Sequence, residues 1–231
     1  MLKRIKESFV MVFTRPMPME DYGDYDGYWK ARSETPLLNR YRFIADKLPE
    51  NASLLDIGCG DGRFLRYVRD VRPGVRLFGV DRSEVAISRV RESGISGDVV
   101  DAAGDLPPIG KLDVVTIMEL IEHLAEPERL MQQLHSMQPG TVYITVPNLG
   151  FILHRLRLAL GGQMPITAIQ FHIKEHLRFW TVADFKYWAG RLGFKVMRCY
   201  AQSPKWLARR MPSLFSSQVI YELRTISTPS A

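Results

Sequence analysis

Short apolar runs alternate with amphipathic stretches through the middle of this 231-residue chain. Residues 53–58 (SLLDIG) and 112–118 (LDVVTIM) are mostly apolar, as strands are when both faces of their sheet are covered. Between them, residues 63–71 (RFLRYVRDV) place apolar side chains on one face of a helix. Strands that alternate with helices pair in parallel, because each helix returns the chain across one face of the sheet. The alternation therefore predicts one doubly wound α/β domain.

The predicted elements follow one another in a regular order. Residues 28–49 are predicted to be helical with a break at Pro36, and the last two strands follow one another in an antiparallel finish. Residues 1–50 are interpreted as a helical extension or lid, and residues 51–231 as the main domain with a substrate-side insert at about residues 149–180. Strands are predicted at residues 53–58, 76–81, 98–101, 112–118, 141–147, 194–200 and 217–226. Helices are predicted at residues 63–71, 84–92 (capped by Ser83), 127–137 (with Pro127 in its first turn), 150–162 and 181–192 (capped by Thr181).

Charge is unevenly distributed along the chain. Residues 1–150 carry 19 Lys/Arg and 22 Asp/Glu, a net charge of −3, whereas residues 151–231 carry 12 and 3, a net charge of +9. A basic surface of this kind can attract a phosphorylated substrate, a nucleic acid or an anionic membrane. A surface that only keeps the protein soluble explains the charge equally well.

The first residues of the chain, the length of its apolar runs and its cysteines indicate where in the cell the protein is located. The first residues, MLKRIKESFVMVF, lack the apolar core of a signal peptide and form either an amphipathic helix docked on the body or a peripheral membrane contact. No apolar run approaches the roughly 20 residues that a membrane span needs. Cys59 and Cys199 are the only cysteines and do not suggest a disulfide framework. These features predict a cytoplasmic protein.

The loop at residues 54–62 (LLDIGCGDG) joins the first strand to the next helix, at the sheet edge where such folds bind ligands. A phosphate-binding loop of the Gly-Lys-Ser/Thr kind is excluded, because Arg63 and Phe64 follow the last glycine. A dinucleotide loop fits poorly, because Arg63 stands where its third glycine belongs and because Asp56 and Asp61 would repel a pyrophosphate. Neither of these two phosphate-binding loops therefore explains the residues present.

The pattern of Asp56, Gly58, Gly60 and Gly62 resembles motif I of the class I S-adenosylmethionine-dependent methyltransferases. DVVTIMELIEHL and QPGTVYITVPN look like the motifs that follow on the fourth and fifth strands, so the resemblance covers roughly residues 50–148. It implies a Rossmann-like seven-stranded methyltransferase sheet, mostly parallel with an antiparallel last strand. It also implies S-adenosylmethionine as cofactor, with an acid holding the ammonium and glycines giving close approach.

The resemblance assigns individual cofactor contacts. Asp81, at the end of the second strand, would bind the ribose hydroxyls. Asp101 would face the adenine amino group with Ala102 beside it, and Asp98 is a weaker candidate for that role. The alternative is that Asp81 and Asp101 only cap loops. The full set of cofactor-binding residues implied is Asp56, Gly58, Cys59, Gly60, Asp81, Arg82, Asp101, Ala102 and Met118.

A second constellation, MELIEHL, follows the fourth strand. Methyl transfer to a hydroxyl needs a base, and Glu119 and His123, four residues apart, are expected to share a helix face. The spacing of Glu119, Glu122 and His123 resembles the magnesium site of ubiquinone-pathway O-methyltransferases and of small-RNA 2′-O-methyltransferases. The latter add a Pro-Asn step and a later histidine, for which Pro147, Asn148 and His176 could stand. The catalytic candidates are His123, Glu119 and His176, and the metal candidates are Glu119, Glu122 and His123; the alternative is that Glu119 caps the helix and His123 only packs.

Segments outside these motifs suggest the acceptor side. PNLGFILHRLRLALGGQMP is similar to the MetW family, and EHLRFWTVADFKYWAGRLGF to the tails of glycan- and ubiquinone-pathway methyltransferases. Three functions follow: O-methylation of a small, lipid-linked or glycan-linked anionic acceptor, methylation of an RNA 2′-hydroxyl, or a MetW-like partner subunit without catalysis. Candidate lid contacts are Tyr28, Trp29 and Arg32, which could instead pack on the sheet edge, and the insert is expected to present Arg155, Arg157, His172 and Lys174.

Overall fold

Seven strands form one sheet in the computed structural model, which describes residues 24–33, 35–164, 176–203 and 205–226. The order across the sheet is β3-β2-β1-β4-β5-β7-β6. The first five strands pair in parallel, and β7 pairs antiparallel with both β5 and β6. This confirms the predicted doubly wound sheet with its antiparallel last strand. The strands are β1 (Ser53–Ile57), β2 (Arg76–Asp81), β3 (Ser96–Val99), β4 (Val114–Met118), β5 (Thr141–Pro147), β6 (Phe194–Ala201) and β7 (Gln218–Thr225).

Local signals place several helices where the sequence predicts them. The Ser83 hydroxyl accepts a hydrogen bond from the Ala86 N–H, and Thr181 forms a capping box with Asp184. Pro127 is the first residue of its helix. The helices are α1 (Tyr25–Lys30), α2 (Asn39–Ala45), α3 (Arg63–Val71), α4 (Glu84–Glu92), α5 (Pro127–Met137), α6 (Ile152–Gly161), α7 (Val182–Arg191), α8 (Trp206–Arg210) and α9 (Pro212–Phe215), with a 3-10 turn at Ile121–His123.

Two apolar layers cover the sheet. On one face, Leu55 and Ile57 belong to a core with residues of α5 and α7. On the other face, Leu54 packs with residues of α2, α3 and α4. Because successive side chains of a strand point to opposite faces, the apolar run in β1 serves both layers. The carboxyl ends of the parallel strands are thus held in fixed relative positions, and the loops that follow them form the candidate site.

The structure corrects the bounds of the third strand. The third strand is Ser96–Val99 rather than residues 98–101, because Gly97 pairs beside Gly79, where little room exists for a side chain. This short segment, SGDV, has no apolar periodicity that would predict it. The helical stretch predicted at residues 28–49 is broken at Pro36 as expected, since α1 and α2 are separated by a non-helical stretch that includes Pro36.

Some expectations fall beyond what the structure describes. The amphipathic start of the chain, His172 and Lys174 lie outside the described residues. Among the helices of the described ranges, none combines the length and the apolar character needed to cross a membrane.

Candidate functional site

The glycine loop between β1 and α3 has a backbone that requires glycine. Gly58, Gly60 and Gly62 have φ angles of 74°, 54° and 77°, in the left-handed region that side chains disfavour. A Cβ atom at Gly58 would lie 2.9 Å from Leu120 Cδ2, and one at Gly60 would lie 2.4 Å from Trp29 Cζ2. The glycines therefore allow Leu120 and Trp29 to pack directly against the backbone of the loop.

Asp56, the last polar residue before the loop, is buried at the end of β1. The Thr116 hydroxyl donates a hydrogen bond to its Oδ1 atom over 2.6 Å. The pKa of Asp56 is raised to about 7, chiefly by burial and in smaller part by the charge of Asp81, although the Thr116 hydrogen bond and the charge of Arg40 oppose this. A buried carboxyl of this kind is stabilised as a carboxylate by an incoming cation. Its chemistry fits the ammonium of S-adenosylmethionine.

Asp81, at the end of β2, accepts hydrogen bonds from the loops that follow β1 and β2. Its Oδ2 atom accepts a hydrogen bond from the Gly60 N–H, and its Oδ1 atom accepts one from the Ser83 N–H, each 2.9 Å long. Burial raises the pKa of Asp81, although these two hydrogen bonds oppose that effect. Each carboxylate oxygen retains a lone pair for a ligand hydroxyl. Asp81 thus shapes the glycine loop and can also accept from a ribose.

Cys59 contributes its backbone rather than its thiol to this loop. The side chain is buried against the sheet, where its Sγ atom and Leu65 fill the space beside Gly79. Burial raises the pKa of the Cys59 thiol well above its usual value, so the thiol stays protonated. Its N–H donates to the Val80 carbonyl over 3.0 Å and holds the turn.

The remaining predicted cofactor residues lie along the same edge of the sheet. Arg82 and Asp101 form an ion pair of 3.7 Å, with Ala102 buried beside them. Asp98 instead pairs with Arg91 over 3.2 Å, on the side of α4. Asp101 is therefore better placed than Asp98 for a ligand at this edge. Met118 ends β4 and is partly buried against the α2–α4 layer.

Helix α1 packs against the glycine loop. Asp26 Oδ1 accepts hydrogen bonds from the Ser83 hydroxyl (2.5 Å) and the Val85 N–H (3.4 Å), at the start of α4. Arg89 donates to the Trp29 carbonyl over 2.9 Å. These contacts fix the Trp29 ring against Gly60, whereas Arg32 stacks on the Tyr28 ring at 4.0 Å.

Glu119 follows β4 in a conformation that the sequence does not predict. Its φ angle is +54°, unusual for a residue with a side chain, and only Ile121–His123 form a helical turn. The expectation that Glu119 and His123 share a helix face is therefore wrong. The Thr145 hydroxyl donates to Glu119 Oε1 (2.9 Å) and the Gln218 amide to Oε2 (2.6 Å). Burial raises the pKa of Glu119, and the positive charge of Arg40 opposes this.

Glu122, His123 and His176 come together beside Glu119. One potential ligand atom from each of these three residues lies within 4.8 Å of the other two. Within the described part of the chain, neither carboxylate oxygen of Glu122 accepts a hydrogen bond from another residue, although the side chain is buried. Burial, and then the charge of Glu119, raise the pKa of Glu122 well above its usual value. An oxygen and two imidazole nitrogens form a donor set that fits a divalent cation.

The chain segment that supplies His176 is anchored to this turn. The carbonyl of Glu122 accepts hydrogen bonds from the N–H groups of Leu177 (2.7 Å) and Arg178 (3.1 Å). The rings of His123 and His176 meet with centroids 4.7 Å apart. The backbone therefore brings together two histidines that are far apart in sequence.

Residues expected to line the acceptor side have varied surroundings. The Asn148 amide donates to the Ser216 carbonyl over 2.8 Å, so it anchors the segment before β7 beside Pro147. Arg155 is exposed and donates to the Gly150 carbonyl. Arg157 is buried, with its Nε atom donating to the Met164 carbonyl over 2.6 Å, and so does not line an open wall.

Four further residues complete the site, and sequence reasoning did not identify them. Thr116 is a polar residue in a strand covered on both faces, a signal that could have been used. The positive charge of Arg40 lowers the pKa of Asp56, Glu119 and Glu122, so it acts both on the strand before the glycine loop and on the turn that contains Glu119 and Glu122 (the acidic turn). Arg40, Thr145 and Gln218 give no local sequence signal, because only the tertiary fold brings them to the site.

The raised pKa of Asp56 predicts how cofactor affinity depends on pH. Below about pH 7 the carboxyl is protonated and must lose its proton to pair with an ammonium. Affinity for S-adenosylmethionine should therefore rise with pH from 5 to 7, by up to roughly tenfold per unit, and level off above. Calorimetry at several pH values measures this, and Asp56→Asn should flatten the profile whereas the exposed Asp70→Asn should not. A steep profile retained by Asp56→Asn would contradict the assignment.

Comparisons with known proteins agree with this geometry. Residues 28–198 match the family described as a methyltransferase domain. The chain is 30% identical over 186 residues to a ubiquinone biosynthesis O-methyltransferase of Pseudomonas aeruginosa, covering 73% of this chain and 78% of that protein. It is 27% identical over 177 residues to a small RNA 2′-O-methyltransferase of Schizosaccharomyces pombe, covering 65% of this chain and 45% of that protein, so it spans under half that relative's length. The CcbJ methyltransferase of Streptomyces caelestis has the same fold, with a TM-score of 0.63 at 17% identity over 89% of this chain and 98% of that one.

Proposed function

Because the chain belongs to the class I S-adenosylmethionine-dependent methyltransferases, we propose that it methylates an oxygen atom of a small, lipid-linked or glycan-linked anionic acceptor, assisted by a divalent cation. The observation that carries this proposal is the cluster of Glu122, His123 and His176. Leu120, in the same turn as Glu122 and His123, lies against Gly58 of the glycine loop. A methyltransferase acting on a strong nucleophile needs no such donor set, whereas a hydroxyl must be activated. The O-methyltransferases among the relatives support the same type of acceptor atom.

The residues at the carboxyl ends of β1–β3 would hold the cofactor. When bound, S-adenosylmethionine supplies a methyl group on a positively charged sulfur. Asp56 would pair with its ammonium, Asp81 would accept from the ribose hydroxyls, and Asp101 would face the adenine. The glycine loop contributes backbone contact without side-chain obstruction. The protein's main contribution to rate is then the alignment of donor and acceptor.

The acidic turn after β4 would act on the acceptor. A divalent cation held by Glu122, His123 and His176 would supply Lewis acidity that lowers the pKa of a bound hydroxyl. Glu119, whose own pKa is raised by burial and whose oxygens accept hydrogen bonds from Thr145 and Gln218, would take the hydroxyl proton. The positive charge of Arg40, which acts on both Asp56 and Glu119, suits an anionic acceptor.

An RNA 2′-hydroxyl is the second candidate acceptor. The small RNA 2′-O-methyltransferase among the relatives favours it, as does the inclusion of the distant His176 in the cluster. A 2′-hydroxyl at an RNA end has a neighbouring 3′-hydroxyl, so the same cation site could orient both.

The test is transfer of a labelled methyl group from S-adenosylmethionine to separated lipid, small-molecule and RNA fractions of a cell extract. Label in the lipid or small-molecule fraction, in a base-stable ether, supports the proposal. Label confined to RNA supports the second candidate. Tight cofactor binding without transfer to any fraction would contradict both and indicate a non-catalytic, MetW-like subunit.

We also propose that α1 is a lid over the bound cofactor, since Trp29 lies on Gly60 and Asp26 fixes the helix to Ser83. Replacing Trp29 with alanine should speed cofactor dissociation roughly tenfold, because an aromatic cover is lost. Stopped-flow displacement of labelled cofactor measures the rate. Trp206→Ala, at an exposed tryptophan of α8, is the matched control and should leave the rate unchanged. Equal rates in Trp29→Ala and the wild type would contradict the lid.

A further inference from the structure

Helix α6 is arranged with its apolar residues outward. Leu156, Leu158 and Leu160 are exposed, Leu158 by 55% and Leu160 by 68% of its surface. The side chains that the helix buries are His154 and Arg157. Burying a leucine stabilises a fold by about 1.5–3 kcal/mol relative to leaving it in water. Leu156, Leu158 and Leu160 forgo this gain and leave an apolar face on α6 that the described part of the chain does not cover.

Helix α8 has a second surface of the same kind. Trp206 is 70% exposed, Leu207 and Met211 are exposed beside it, and Ala208 alone is buried. Lys205, Arg209 and Arg210 are exposed around these apolar side chains. Tryptophan and leucine surrounded by lysine and arginine is the composition of segments that lie in a membrane interface.

The two helices occupy one corner of the molecule. The Asn148 amide donates to the Ser213 carbonyl over 3.0 Å, which fixes α9 beside the start of α6. The Arg155 guanidinium and the Ser213 carbonyl both lie within 3.3 Å of the position a Cβ would take at Gly150. Helix α8 runs directly into α9, with Met211 between them.

This corner borders the acceptor side of the site. Helix α6 follows the carboxyl end of β5, and α8 follows that of β6. The segment from α9 leads to Gln218, which donates to Glu119. A surface on which α6 and α8 rest would therefore lie next to the acidic turn.

We propose that the exposed faces of α6 and α8 form a docking surface for an anionic lipid membrane, which presents a lipid-linked acceptor to Glu119 and the neighbouring turn. The part that concerns the acceptor rests on the proposed function, whereas docking does not. Residues 151–231 carry a net charge of +9, complementary to anionic headgroups. RNA would be attracted by the arginines but gains nothing from exposed leucines. A second copy of the chain would set the same cations against one another.

Co-sedimentation of the full chain with lipid vesicles tests docking. Phosphatidylcholine vesicles containing roughly one-third phosphatidylglycerol should bind the protein, and pure phosphatidylcholine should bind it far less. Each of three double variants, Leu158→Ser/Leu160→Ser, Trp206→Ser/Leu207→Ser and Arg209→Gln/Arg210→Gln, should lower the partition coefficient roughly tenfold. Tyr187→Ser on α7, at an equally exposed aromatic, and Arg91→Gln/Arg129→Gln are matched controls and should bind as the wild type does.

Several results would overturn the proposal. These are no binding to anionic vesicles, equal losses in the control variants, or salt-sensitive binding to a short single-stranded RNA with none to vesicles. The proposal would also be overturned if the chain associates with itself in the absence of lipid and Leu158→Ser/Leu160→Ser abolishes this association, because the surface would then bind a second copy of the chain.

Methyl transfer to a soluble acceptor by the same variants separates the docking proposal from the proposed function. Unchanged transfer with lost vesicle binding supports docking, and lost transfer would place the surface in the catalytic machinery instead. Wild-type vesicle binding without transfer to any acceptor would leave docking standing and the proposed function contradicted.

Discussion

Replacing Asp81 with alanine should raise the dissociation constant for S-adenosylmethionine about 100-fold, the largest effect on binding that we expect from any single change. Two interactions are lost together. The carboxylate would no longer accept from a ribose, and the Gly60 and Ser83 N–H groups would lose their acceptor. Hydrogen bonds to a charged group contribute about 1.5–3 kcal/mol each, so the loss of one or two accounts for this magnitude. Titration calorimetry with S-adenosylmethionine and S-adenosylhomocysteine measures it.

A matched carboxylate on the neighbouring strand provides the control. Asp98 lies on β3 opposite Val80, the residue before Asp81 on β2. Its side chain forms an exposed ion pair with Arg91. Asp98→Ala should therefore leave cofactor affinity within about twofold of the wild type. An Asp81→Ala variant that binds the cofactor as tightly as Asp98→Ala would show that the acid only shapes a loop.

Replacing Glu122 with glutamine, or His176 with alanine, should lower kcat by about 1000-fold and leave cofactor affinity unchanged. Both side chains belong to the proposed cation site and not to the cofactor edge. Glutamine keeps the shape of Glu122 but removes a buried charge that Glu119 opposes, so its thermal stability should equal or exceed that of the wild type. Loss of activity in this variant then cannot be ascribed to unfolding.

The control for these variants is a histidine outside the site. His135 lies on α5, and its Nε2 atom is 3.1 Å from the Ile226 carbonyl. His135→Ala should retain near-normal kcat. Wild-type rates in both Glu122→Gln and His176→Ala would contradict a catalytic role for the cluster and would support a role in packing only.

The fold could be predicted because its signals are local. β4 is apolar except for Thr116, Ser83 and Thr181 cap helices, and Pro127 begins one, so a few adjacent residues determine each of these elements. The strand β3 was predicted two residues too late, because SGDV has neither periodicity nor β-branched residues before its last position, and its pairing with β2 depends on the close approach of Gly97. The bounds of β3 therefore depend on tertiary packing rather than on local sequence propensity.

The site could be predicted only where motifs are contiguous. The positions of Asp56 and Asp81 follow from the order of strands, since the carboxyl ends of parallel strands share an edge. The left-handed backbone at Glu119 could not be predicted. The four-residue spacing of Glu119 and His123 in MELIEHL indicates a helix, but only Ile121–His123 form a helical turn. The partners Gln218 and Arg40 are supplied by β7 and α2, and only the closed sheet brings them near.

The central claim, oxygen methylation assisted by a divalent cation, is tested most directly by the cation dependence of methyl transfer. The rate of label transfer from S-adenosylmethionine to the lipid or small-molecule fraction should fall at least 100-fold with a chelator and recover when magnesium is returned. Cofactor affinity, measured in the same samples, should stay constant. Transfer at the full rate in the presence of the chelator would contradict the cation site, and with it our account of Glu122, His123 and His176.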